Sequence, residues 1–416
     1  MLAAVNRPHD KPFVISEHSS VDKYAFAILI FMLLFGIKLF GVIDIAQLTL
    51  VAILALYYQR SLGHIFMTEI YTFSLLVLML VLTHTILTSI LFHTFDYYAV
   101  MRLMRALATS FLLAILIPLL KVRKTQGLAI IVFCIFIHAI CIITQMANPE
   151  LKELMAILVG HDKQTVFLRA FGLVSAYDTA GALLLIGMVI SSYFVFKLRR
   201  TYYIYIIVVF YIAGLATGRV FMVVGTLYFV LVLFKFLFKK NRKYLAKLII
   251  LLIGGVFVFY FMKYIQPILS VSLYLVDKEA VSNDIQISRG GYYIGTLSIL
   301  QSYLMLPQEG MQLLFGSGEL IKVDIGYIKI LHSVGLIGML LMTFYYILFA
   351  ILSYTKNRED TKLLFMPILF IFFLYNFKML TFFTRSYHET IIVILILLCL
   401  NRERENVKIG VGSKFK

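Results

Sequence analysis

Tryptophan is missing from all 416 residues, cysteine occurs three times, and carboxylates number only 21. Each shortage excludes something. Without tryptophan, any aromatic girdle at a membrane boundary must come from tyrosine and phenylalanine. Cys134, Cys141 and Cys399 all fall in apolar runs, which implies neither a disulfide framework nor a metal cluster. Charged residues make up 14% of the chain against 62% hydrophobic ones, and the mean hydropathy is +0.94. A soluble chain of this length needs far more polar surface, so a polytopic membrane protein is expected. No zinc or nucleic-acid motif accompanies the net charge of +17, so nucleic acid is not an expected partner. The charge reads instead as a topology signal and an attraction to anionic membrane lipid. The first 23 residues lack the short apolar core of a cleavable signal, and the first span is expected to serve as an uncleaved anchor.

What is there is a series of apolar runs of membrane-spanning length. Twelve are read: 24–43, 44–58, 66–92, 99–120, 127–147, 179–197, 202–218, 220–238, 244–265, 326–353, 362–383 and 387–400. The run from Tyr202 to Phe238 is too long for one crossing, and Gly218–Arg219 marks a tight reversal within it. Lys and Arg crowd into alternate connections, among them Lys121–Lys124, Lys197–Arg200, Lys239–Lys247 and Lys356–Lys362. The positive-inside rule makes those connections cytoplasmic, and both termini with them. The expectation is an all-α, polytopic helical bundle of about twelve transmembrane helices, forming one integral membrane domain over 1–416. Two long outer loops, 148–178 and 266–325, are each too small for an independent core. Function is expected on that outer face.

Its polar residues include Arg169, Tyr177 and Asp178 in the first loop and Arg219 at the reversal. The second loop adds Arg289, Tyr292, Glu319, Lys322 and Asp324, and the last outer turn adds Arg385, His388 and Glu389. Arginine at a span end costs free energy unless it meets an anion, and its planar fork suits phosphate oxygens. Arg169, Arg219 and Arg289, with Tyr292, Lys322 and Arg385, are therefore candidates to bind a lipid diphosphate. Gly316-Ser-Gly318 lets backbone approach a ligand, and Asp324 or Glu319 is placed to act as general base on a sugar hydroxyl. Blander readings stand beside these. Asp178 with Thr179 caps the sixth span; His84 and His138 are packing residues; Lys38 and Lys378 snorkel from span ends. Lys378, Thr381 and Arg385 share one face if their helix continues.

The order of these features resembles the O-antigen ligase and polymerase superfamily of bacterial envelope polysaccharide assembly. The R-x-x-G element is matched by Arg169-Ala-Phe-Gly172, the (S/G)R element by Gly218-Arg219, and the long-loop elements by Arg289 with Tyr292–Tyr293 and by Gly316-Ser-Gly318. The resemblance covers about residues 127–354. Where the ligases carry a His-Asn pair before G-x-x-G, this chain has Asp324-Ile325, then Gly335-Leu-Ile-Gly338. The run from Asp324 is more like the Wzy-type polymerases. The resemblance implies a GT-C-like fold in the bacterial inner membrane and a metal-independent, cofactor-free glycosyltransferase. Undecaprenyl-diphosphate-linked oligosaccharides would be donor and acceptor, and a chain-length regulator and a flippase would be partners. A ligase moving finished polymer, and a transporter or flippase for lipid-linked oligosaccharide, are the alternatives.

Overall fold

The computed structural model describes residues 20–35, 38–39, 43–57, 66–94, 97–159, 169–238, 306–307, 310–318 and 325–400. The described chain is all-helical apart from a two-residue ladder pairing Lys38–Leu39 with Ile43–Asp44. That ladder interrupts the first apolar run: the helix stops at Phe35, and Lys38 stands in the ladder opposite Asp44. The helices are α1 (Ser20–Phe35), α2 (Ile45–Tyr57), α3 (Glu69–Leu91), α4 (Tyr97–Leu119), α5 (Lys124–Ala147), α6 (Pro149–Val159) and α7 (Tyr177–Phe196). There follow α8 (Tyr203–Leu215), α9 (Arg219–Phe238), α10 (Gly310–Phe315), α11 (Gly326–Lys356), α12 (Arg358–Asp360), α13 (Met366–Tyr375) and α14 (Tyr387–Cys399). A π-helical turn, Thr361–Phe365, joins α12 to α13.

Five of these, α3, α4, α5, α7 and α11, are long and apolar enough to cross a membrane, which marks a membrane protein. Their exposed faces carry Leu, Ile, Met and Phe, as a lipid-facing surface requires. α7 differs. Every residue from Thr179 to Val195 is buried, so this helix is surrounded by protein. Its small residues make that possible: a methyl on Gly187 would lie 2.7 Å from the Phe210 ring, and one on Gly181 would lie 2.7 Å from Thr217 Oγ1. Around it pack α5, α8, α9 and α13, while α11 lies along α3 and α14 packs on α4.

The two ends of the bundle differ in chemistry. At the basic end, the Asp360 carboxylate is 1% exposed and holds three elements together. It accepts from Lys124 Nζ at 2.9 Å, Lys197 Nζ at 2.7 Å, Tyr193 OH at 2.9 Å and Asn357 Nδ2 at 2.6 Å. Burial pushes this carboxyl up, but the Lys197 and Lys124 ammonium groups and the Tyr193 hydroxyl push it further down, to a net value below the ordinary one. Lys197 is the mirror case: burial lowers it, and its bonds to Asp360 and Glu359 raise it further, to a net value above the ordinary one. A depressed carboxylate stabilises above its unfolded value, about 4, and a raised lysine stabilises below its own, about 10.4. The clamp is therefore whole between those limits. Thermal unfolding of the detergent-solubilised protein is expected to lose this contribution as pH falls below about 4; Asp360→Asn should abolish that part of the acid dependence.

Candidate functional site

At the opposite end lies the 169–176 loop, and α5 shapes it from below. The Gln145 side chain is buried; its Oε1 accepts from Phe171 N at 3.2 Å and Gly172 N at 2.9 Å, and its Nε2 donates to Gly172 O at 2.8 Å. His138 Nδ1 accepts from Leu173 N at 3.0 Å, so this histidine is a packed loop anchor. Gly172 has φ +63°, and a Cβ there would meet the His138 ring at 2.5 Å. The glycine of the R-x-x-G element is thus required by a left-handed turn pressed against an imidazole.

The same loop is tied to the turn between α8 and α9. Ala170 N donates to Ala216 O at 2.9 Å, which ties the residue after Arg169 to the turn that leads through Gly218 into α9. The Arg169 guanidinium lies over the Tyr177 ring at 5.9 Å. The side chain of Arg219 lies outside the described part. Asp178 does not cap its own helix as the sequence suggested. The N-cap of α7 is Ala176 without a side-chain bond, and Asp178 sits inside the first turn. Its carboxylate reaches across instead: a methyl on Gly218 would lie 2.5 Å from Asp178 Oδ1. That position, at the start of α9, is favourable for negative charge.

α14 enters this end through a strained turn. Ser386 has φ +75° and donates Oγ to Leu34 O at 2.5 Å; Tyr387 OH then donates to Asp178 O at 3.2 Å and Thr179 O at 3.3 Å. Arg385, two residues earlier, therefore belongs to the same end as Arg169 and Gly218. The face shared by Lys378, Thr381 and Arg385 does not exist, because α13 ends at Tyr375. Asn376 Oδ1 accepts from Thr381 N at 2.9 Å and shapes a non-helical connection there. Arg289, Tyr292, Glu319, Lys322 and Asp324 lie outside the described residues.

Gly316-Ser-Gly318 and Gly335-Leu-Ile-Gly338 meet each other. α11 breaks at Gly335, whose φ is +67° and ψ −174°. The break deprives the preceding carbonyls of their helical partners. Ser317 N donates to His332 O at 2.7 Å, and Ser317 Oγ to the same oxygen at 3.0 Å. Val334 O accepts from His84 Nε2 at 2.9 Å. Methyl groups would lie 2.7 Å from Gly335 N if added to Gly316, and 2.3 Å from Gly316 N if added to Gly335. These glycines bring two stretches of backbone together; the expectation that Gly316-Ser-Gly318 opens the backbone to a ligand is corrected at Gly316. Thr88 Oγ1 adds a bond to Phe315 O at 3.0 Å, and Thr94 Oγ1 bonds Ser317 O.

The sequence reading placed His388 and Glu389 in the last outer turn; both are buried, in a polar interior behind α14 whose connections it missed. Glu389 is 2% exposed, with Oε1 3.6 Å from Arg105 Nε, and Arg105 Nη2 donates to Phe383 O at 2.8 Å. Tyr346 OH accepts from Phe383 N at 3.3 Å and lies 3.1 Å from His388 Nδ1. His388 Nε2 lies 3.1 Å from Ser110 Oγ, so the ring bridges Tyr346 and Ser110. Ser110 passes its own proton to Ala106 O at 2.6 Å. Both ring nitrogens of His388 thus have partners. The available signal was Arg102 and Arg105, three residues apart on one face of an otherwise apolar α4. No family model, curated protein or solved structure matches this chain.

Proposed function

We propose that this chain is a polysaccharide polymerase of the bacterial inner membrane, moving a growing glycan from undecaprenyl diphosphate to a lipid-linked repeat unit. In this reading about twelve helices, both termini cytoplasmic, form a GT-C-like bundle, and the end bearing the 169–176 loop faces outward. The acceptor hydroxyl oxygen attacks the anomeric carbon, its proton passes to Asp324 or Glu319, and the bond from that carbon to the diphosphate oxygen breaks. Arg169, Arg219 and Arg289, with Tyr292, Lys322 and Arg385, hold the diphosphates and stabilise charge on the leaving group. The released undecaprenyl diphosphate leaves with the electron pair.

The observation that supports the reading is the Ala170 N–Ala216 O bond, which ties Arg169-Ala-Phe-Gly172 to the turn two residues before Gly218-Arg219. The Asp178 carboxylate also lies beside Gly218, at the start of α9.

The test is incubation of purified protein with a lipid-linked repeat unit, followed by glycan sizing. Arg169→Ala is expected to lower polymer formation about 100-fold with the protein still in the membrane. Arg169→Lys should retain part of the activity, since charge survives and the bidentate fork does not. Wild-type chain lengths in the alanine variant would remove Arg169 from the site. Flux of the lipid-linked sugar without new glycosidic bonds would instead identify a flippase. A deletion strain whose polymer accumulates on carrier lipid would identify a ligase, for which Gly335-Leu-Ile-Gly338 supplies the matching frame.

A further inference from the structure

We infer that α6 docks on the bilayer leaflet at the Arg169 end, its first turn at the waterline and its later turns among the headgroups and upper acyl chains. The docking surface is one stripe. Glu150, Glu153, Leu154, Ile157 and Leu158 are exposed, and spacings of three and four residues put all five on one face. Lys152 and Val159 are buried on the opposite face. The stripe is graded along its length: carboxylates stand at 150 and 153, and every residue from Leu154 to Leu158 is apolar. Ile157 is 80% exposed. An apolar face of this kind on a helix with a polar first turn suits the membrane interface.

What covers the face follows from where it begins. α5 is long and apolar enough to cross the membrane, and its exposed residues Phe133, Ile140, Thr144 and Ala147 form one strip along it. Exposure then continues without a gap through Asn148 and Pro149 to Glu150, so the α6 stripe prolongs a surface that already faces lipid. A single residue joins the two helices. Asn148 ends α5 by donating its N–H to Thr144 O at 2.9 Å, and its Oδ1 starts α6 by accepting from Leu151 N at 3.2 Å. Pro149 takes the first position of α6, where a helix has no use for the missing N–H. So short a corner sets the direction of α6 against α5, and the fold itself presents the stripe to the lipid. Charge agrees with depth. The carboxylates of Glu150 and Glu153 stay near water at the α6 N-terminus, where the helix dipole favours them. Ile157 lies about 10 Å further along at 1.5 Å per residue, far enough for a tilted helix to carry it past the headgroups. The exposed stripe holds no cation, so the partner is the hydrocarbon of the leaflet, whatever its headgroup. The inference does not rest on the transferase reading.

The absence of tryptophan makes the test direct, because one introduced indole is read without background. Ile157→Trp in the full chain, reconstituted in phosphatidylcholine nanodiscs, is expected to lose about half its fluorescence when the lipid carries bromine on its upper acyl chain. It should also be shielded from aqueous iodide. Leu158→Trp should behave alike, which keeps the test decisive where one variant fails to fold. Ile140→Trp, on the α5 strip, is the reference for full lipid contact. Glu150→Trp should show the reverse pattern, strong quenching by iodide and weak quenching by brominated lipid. Iodide quenching without bromine quenching at 157 would place the face in water and overturn the inference. Resistance to both quenchers would overturn it equally, since protein, whether another segment or a second copy, would then cover the stripe. Equal bromine quenching at 150 and 157 would overturn the graded depth.

Discussion

Asp360→Ala is expected to destabilise the protein by about 3 kcal/mol, the scale for removing one partner of a buried ion pair. Lys124 is 12% exposed and Lys197 28%, so both ammonium groups would be left largely out of water opposite an empty space. In thermal unfolding of the detergent-solubilised protein the midpoint should fall on the order of 5 °C. Asp360→Asn keeps an acceptor oxygen for Tyr193 and Lys124 while losing the charge, and should fall between wild type and alanine. Glu359 pairs with the same Lys197 at 2.8 Å but is 81% exposed. Solvent screens that pair, so Glu359→Ala should leave the midpoint where it was. Equal losses at both positions would mean that burial is not what gives Asp360 its weight.

Gly335→Ala is the second large effect. The residue combines φ +67° with ψ −174°, a region essentially confined to glycine, and a methyl group there would stand 2.3 Å from Gly316 N. Conformational strain and the clash together should cost about 3 kcal/mol. α11 would then either straighten or push α10 away, and Ser317 would lose His332 O. Gly316→Ala meets the same contact from the other side. The double variant should cost less than the sum of the two, because one separation relieves both. Gly310→Ala is the control, since nothing lies within 4 Å of its added methyl, and it should be neutral. The check is folded yield and unfolding midpoint for the four proteins. A neutral Gly335→Ala would mean that the α11 break is not required.

The sequence made some of this readable and hid the rest for physical reasons. Apolar runs announced the helices, because a bilayer imposes length and composition on anything that crosses it. They announced α7 too, as the run 179–197, but not its enclosure. Its best 18-residue window has mean hydropathy 2.0 against 1.9 for α4, yet 94% of that window is buried against 50%. Hydropathy measures dislike of water, and a helix among helices satisfies it as well as one among lipids. The clue was side-chain size: Gly181, Ala182, Gly187, Ser191 and Ser192 on one helix. At the candidate site, Arg169, Gly172, Gly218 and Arg219 stood out because turns and glycines punctuate the sequence locally. The pairing of Arg105 with Glu389 did not, since it joins positions 284 apart and only folding brings them together. Asp178 was misassigned because a carboxylate at a helix start looks the same whether it serves its own helix or a neighbour. Gly316 was misassigned because a glycine that admits a ligand and one that admits another backbone are identical on paper.

The enclosure of α7 sets a mechanical asymmetry. Changes in bilayer thickness or lateral pressure act on residues that touch hydrocarbon, so they tilt and slide the outer ring and reach α7 only through its neighbours. The loop at its start and the Asp360 clamp at its finish are thereby mounted on a rod that the surrounding fluid does not grip directly.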